Sequence, residues 1–174
     1  MPRAHDAKIL DLKVLGSIIN QSVAILIAVF AAFQIGRFVY PDVMVNAQEQ
    51  ITAYAGNFSF FPLAGYLPSM GARTYAFITL IMAELFRAYS SRSEDYSVFS
   101  LGLFSNSTLN KAFLLSFTLT LAVVYLPLVQ PLFYTIPLNL MDWLRILALS
   151  LFPLASGEIY KLLRRRSVQR RPAK

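Results

Sequence analysis

Cysteine is absent from the 174 residues, and histidine occurs once, as His5. The first absence excludes a disulfide framework, a thiolate metal site and a thiol nucleophile. The second leaves no histidine for a Ser-His-Asp triad or a His-cluster metal centre in an organised core. Charge is scarce too: 14% of residues are Asp, Glu, Lys or Arg, where soluble domains carry roughly 25%. With 56% hydrophobic residues, that shortfall argues against a water-soluble enzyme, a disordered chain and a coiled coil. The sequence also lacks a G-x-x-x-x-G-K-S/T phosphate loop and an Asp-Lys-Thr-Gly phosphorylation sequence, so it holds no recognised arrangement for binding or splitting ATP.

What is present is long uncharged runs. Between Lys13 and Arg37 lie 23 uncharged positions, and between Lys111 and Asp142 lie 30. About 20 residues of helix cross a bilayer core, so both runs predict membrane spans. Pro131 and Pro137 set the end of the second near Val129. Thr74 to Ser90 is apolar apart from Glu84 and Arg87, and Trp143 to Leu163 apart from Arg145, Glu158 and Lys161. Arg145 and Lys161 lie near the ends of their run, where long basic side chains reach the headgroups. The expectation is an all-α, four-helix transmembrane bundle with spans at about 14–36, 73–90, 112–130 and 143–163. Residues 1–13 form an N-terminal segment, 14–166 the four-span membrane domain and 167–174 a basic tail. Basic residues followed by an apolar run also fit a signal peptide, but the apolar run exceeds the roughly 7–15 residues of a cleavable core. A retained span is the expectation.

The basic residues set the orientation. Four spans put 13 of the 16 Lys and Arg on the side of the two termini and 3, Arg37, Arg73 and Arg145, on the other. Both termini are therefore expected to be cytoplasmic. Seven basic residues fall between Lys161 and Lys174. They read as a topogenic and anionic-lipid patch rather than a nucleic-acid surface. Residues 38–72 form a long external connection whose Tyr40, Tyr54, Phe60, Phe61 and Tyr66 suit an interfacial aromatic belt. Phe133, Tyr134 and Trp143 are expected at the same boundary.

Glu84 is the most informative residue. An ionised carboxylate this deep in a span costs several kcal/mol unless water, a cation or a partner relieves it. Carboxylate oxygens suit hard cations such as Ca2+, so Glu84 is a candidate metal ligand or proton carrier in a transport path. The competing reading is a local pair with Arg87, one helical turn on. Glu158 and Lys161 have the same spacing near the end of the last span, where a structural pair is expected. Asn20, Gln21 and Ser22 inside the first span are expected to hydrogen-bond to a neighbouring helix. Pro153 and Gly157 would kink the last span or allow close packing. Asn57-Phe58-Ser59 and Asn106-Ser107-Thr108 match the glycosylation sequon, the second on the wrong side for it.

Two segments carry a family resemblance. Ala72-Arg73-Thr74-Tyr75-Ala76-Phe77, followed by Glu84-Leu85-Phe86-Arg87-Ala88-Tyr89-Ser90-Ser91-Arg92-Ser93-Glu94, resembles the eighth transmembrane helix and following loop of P-type cation-transporting ATPases, the calcium-pump type especially. The pattern there is A-R-T, an apolar run, then E/Q-x-x-x-A-x-x-x-R-S. Gly157-Glu158-Ile159-Tyr160-Lys161 resembles the end of the tenth helix, and Trp143-Leu144 its start. The four spans would then be helices seven to ten, the C-terminal support of the transport domain.

The resemblance implies that Glu84 matches the position of a direct Ca2+ ligand, glutamine in related pumps, while Arg87 departs from the pattern. It implies no cofactor on this chain, with Ca2+ or another cation as the transported ion. The implied partners are the lipid bilayer and the remaining domains and helices one to six of a pump, and no nucleic acid. The implied location is multi-pass in the cell membrane. The chain alone should not hydrolyse ATP; it reads as a fragment or split partner of a pump, or an orphan bundle. The alternatives are a free-standing four-span scaffold or regulatory subunit with no ion site, and a small oligomeric transporter or channel.

Overall fold

The computed structural model describes residues 12–40, 70–93, 96–102 and 104–169. Tyr54, Phe60, Phe61, Tyr66, the Asn57 sequon and His5 lie outside the described residues. Among the described residues the fold is entirely helical: α1 (Leu12–Val39), α2 (Met70–Ser90), α3 (Val98–Leu101), α4 (Ser107–Tyr125), α5 (Gln130–Phe133) and α6 (Leu140–Gln169).

Among the described residues three helices, not the four expected, are long and apolar enough to cross a membrane: Leu15–Val39, Ser107–Tyr125 and Leu140–Leu163. The difference from the expectation lies at α2. Its 21 residues match a span in length, about 31 Å at 1.5 Å per residue, but Arg73, Glu84 and Arg87 all fall within them. Those three charges, with Thr74, Thr79 and Ser90, leave α2 well short of α1 in hydrophobicity.

Helices α1, α2 and α6 pack mutually, and α4 leans on α2. Ala32 of α1, Tyr75, Ile78 and Met82 of α2, Val124 of α4 and Ile146 of α6 share the core. On α1 the buried Ala24, Ala28 and Ala32 recur every fourth residue and lead to Gly36. Small residues at this spacing let helix backbones approach closely. A methyl group on Gly36 would lie 2.7 Å from Ala72 Cα and 2.8 Å from Gly71 O. Outward-facing Leu26, Ile27, Phe30, Leu114 and Leu115 remain exposed, as lipid-facing side chains would be.

The bonded pairs give the directions. Asn20 meets Ser156 and Tyr40 meets Asp142, so α1 runs antiparallel to α6. Tyr75 meets Asp142 and Ser90 meets Glu158, so α2 runs parallel to α6. The start of α1 and the last turns of α6 therefore lie at one end of the bundle.

Helix α4 begins before the expected 112 because the Asn106 side chain caps it, accepting from the Leu109 amide at 3.0 Å. It stops before the expected 130 because Leu126 precedes Pro127, which drives Leu126 into an extended conformation. The chain then turns back through α5, where Pro131 occupies an N-terminal position and Tyr134 closes the turn at φ 52°. Side chains fasten this connection. Thr135 Oγ1 donates to Val123 O at 2.7 Å, and the Ile136 amide donates to Thr74 Oγ1 at 3.1 Å.

Candidate cation site

Glu84 lies between two anchored segments of α2. The buried residues of α2 include Tyr75, Ile78, Thr79, Met82 and Ala83, a stripe that packs towards α1 and α6. Glu84 falls beside this stripe, with Leu80 and Arg87 exposed on its own side. Arg87 donates to Glu84 Oε2 through Nε at 2.8 Å, and its Nη2 lies 2.7 Å from the same oxygen. Both side chains are 43% exposed. The local pair considered from spacing thus forms, on a face that the other described helices leave open. A hard cation takes six to eight oxygens. Among the described residues no three His, Cys, Asp or Glu converge, so a cation at Glu84 would need oxygens from other segments.

Glu158 and Lys161 also pair, at 3.1 Å, and both are buried. Lys161 Nζ donates to Ser90 O at 2.7 Å and to Ser90 Oγ at 3.1 Å. Ser90 Oγ donates to Glu158 Oε1 at 3.2 Å, and the Val98 amide donates to Glu158 Oε2 at 3.3 Å. The pair therefore does more than finish α6: it joins the end of α2 and the start of α3 to α6. Asn20 and Ser156 exchange hydrogen bonds at 3.0 and 3.3 Å. Gln21 is buried against Gly157, whose missing side chain makes room for it: a methyl there would lie 2.9 Å from Gln21 Nε2. Ser22 instead points outward. Pro153 sits buried inside α6 without ending it.

The cluster that spacing did not reveal surrounds Asp142, which is 0% exposed. Its Oδ2 accepts from Tyr40 Oη at 2.6 Å and from the Asn139 amide at 2.9 Å. Its Oδ1 accepts from Tyr75 Oη and from Arg145 Nη1, the latter at 3.1 Å. The Asp142 amide donates back to Asn139 Oδ1 at 3.0 Å. Asn139 and Asp142 thus form a reciprocal capping box that starts α6. A buried carboxylate is tolerated because donors fill its lone pairs. Tyr40 is drawn inward rather than serving only in an aromatic belt. Burial first, then its bond to Asp142, pushes the Tyr40 hydroxyl above the usual tyrosine range. Trp143 Nε1 donates to Tyr125 Oη at 2.8 Å, and its ring packs edge-on against Phe117. The Asn-x-x-Asp spacing before an apolar run was the available signal for this cluster.

The cation transporting ATPase C-terminus family matches residues 1–163. The calcium-transporting ATPase of Bacillus subtilis is 42% identical over 82 residues, which cover 47% of this chain and 9% of that protein. Calcium-transporting ATPase 1 of Bacillus cereus is 32% identical over 116 residues, 63% of this chain and 13% of that protein. The endoplasmic reticulum calcium ATPase of Aspergillus fumigatus is 35% identical over 98 residues, 56% of this chain and 10% of that protein. The chain thus matches about a tenth of the length of these relatives. With the family match running over nearly all of its residues, this helical membrane protein belongs to the family of cation transporting ATPase C-terminal domains.

Proposed function

We propose that this chain serves as the C-terminal membrane domain of a calcium-type cation pump in the cell membrane. Four helices cross the bilayer, α2 among them, and both termini face the cytoplasm. The domain buttresses the transport helices. Glu84 supplies one oxygen ligand to the transported cation, Ca2+ in the first instance, while ATP is bound and split by other domains of the pump. The observation that carries the ligand role is the placing of Glu84: midway between bonded anchor points on α2, on a face that α1 and α6 leave open. Parallel α2 and α6, both antiparallel to α1, support the even number of crossings. The relatives named for calcium transport support the choice of ion, and the chain's own carboxylate suits a hard cation.

The complete pump containing this domain tests the ligand role through Ca2+-activated ATP hydrolysis. Glu84→Ala should raise the half-activating Ca2+ concentration at least tenfold, the order of one lost charged ligand. An unchanged Ca2+ dependence would refute it.

A further inference from the structure

We infer that Tyr75 and Ser90 are positioning residues that lock α2 to α6 on both sides of Glu84. The inference rests on the reading of Glu84 as a cation ligand. At one end Tyr75 Oη donates to the buried Asp142. At the other, Ser90 donates to Glu158 at 3.2 Å and receives Lys161 Nζ on its carbonyl at 2.7 Å. Between them Ser150 Oγ, which donates to Ile146 O at 2.7 Å in its own helix, lies 3.3 Å from Thr79 O.

The two helices run parallel, and the fastenings are evenly matched. Tyr75 and Ser90 lie about 22 Å apart along α2, and Asp142 and Glu158 about 24 Å apart along α6, at 1.5 Å per residue. A slide or rotation of α2 that frees one fastening therefore strains the other. Each break would also remove a partner from a buried charged group, Asp142 at one end and the Glu158–Lys161 pair at the other. Slipping α2 by one residue shifts Glu84 by about 1.5 Å and turns it by about 100°. Ca2+–oxygen distances span only about 2.3–2.6 Å, so either movement takes the carboxylate off a bound ion. The fastenings thus make Glu84 a ligand of fixed height and direction, to which mobile helices elsewhere in the pump can bring the remaining oxygens.

The test is Ca2+-activated ATP hydrolysis by the complete pump carrying Tyr75→Phe, Ser90→Ala, Glu84→Ala, or Glu84→Ala combined with each of the first two. The single variants Tyr75→Phe and Ser90→Ala each delete one hydroxyl. Each should raise half-activating Ca2+ about threefold, the worth of one hydrogen bond between membrane helices, with the maximal rate retained at saturating Ca2+. Neither should add to the shift of Glu84→Ala, because a misplaced ligand matters only while the ligand is there. Shifts that add to Glu84→Ala would overturn the positioning role. So would a Glu84→Ala shift without any for Tyr75→Phe and Ser90→Ala, or a loss of maximal rate at unchanged Ca2+ dependence. No shift for Glu84→Ala would instead remove the ligand reading itself.

Discussion

Arg87 directs two guanidinium nitrogens, at 2.8 and 2.7 Å, onto one oxygen of Glu84. A carboxylate held in this way is already neutralised, so a cation approaching it must displace a tethered rival. Arg87→Gln should therefore lower the half-activating Ca2+ concentration of the complete pump. The exposed pair is worth at most about 1 kcal/mol, so the gain should be about two- to fivefold. A Ca2+ titration of ATP hydrolysis reads it, and an increase would show that Arg87 assists the site instead of competing for it.

Glu158 and Lys161 should behave as a buried pair. Replacing either alone by alanine leaves a charge without its partner and should cost about 3 kcal/mol of stability. The double substitution Glu158→Leu with Lys161→Met should cost less than either single change, since both charges leave together. Thermal unfolding in detergent gives the comparison. Equal and additive losses would mean that the two groups do not depend on each other.

The contrast between these polar groups explains what the sequence could and could not show. Glu158 and Lys161 are one turn apart on a single helix, so spacing alone paired them. Asn20 and Gln21 stood out as amides within an apolar run. Asp142 finds Tyr75 across 67 residues and Tyr40 across 102. No local pattern links those positions, and Tyr40 reads equally well as an interfacial aromatic. The uncharged run marks neither end of α4: it starts at 112, inside the helix beyond Lys111, and continues past Tyr125; Asn106 and Pro127 decide the ends, not hydrophobicity. Glu84 was visible as a charge in an apolar segment, but the face it occupies depends on which side of α2 meets α1 and α6.

Tyr40 makes the domain sensitive to alkali. Its hydroxyl keeps its proton in the folded state beyond the tyrosine norm of about 10, because it is partly buried and bonded to Asp142. The unfolded chain releases that proton first. The contribution to stability is therefore complete below about pH 10 and declines as pH rises towards the elevated folded value. Thermal unfolding measured from pH 8 to 11 should show a steeper alkaline loss for the wild type than for Tyr40→Phe. Parallel curves would contradict this assignment.

With no cysteine among the 174 residues, single thiols introduced into this domain, in a pump cleared of cysteines elsewhere, can report the crossing pattern. Phe104 is 87% exposed between α3 and α4, and Leu128 is 86% exposed between α4 and α5. In intact cells a membrane-impermeant maleimide should label Leu128→Cys and spare Phe104→Cys, which should react only after the membrane is opened. The reverse pattern would invert the proposed orientation, and labelling of both from outside would mean that α4 does not cross.

The most direct measurement is equilibrium binding of radioactive Ca2+ to the purified complete pump without ATP, comparing wild type with Glu84→Ala. A ligand at Glu84 predicts the loss of one bound Ca2+ per pump, or at least a tenfold weaker site. Identical binding curves for the two proteins would contradict it and leave the domain as a support only.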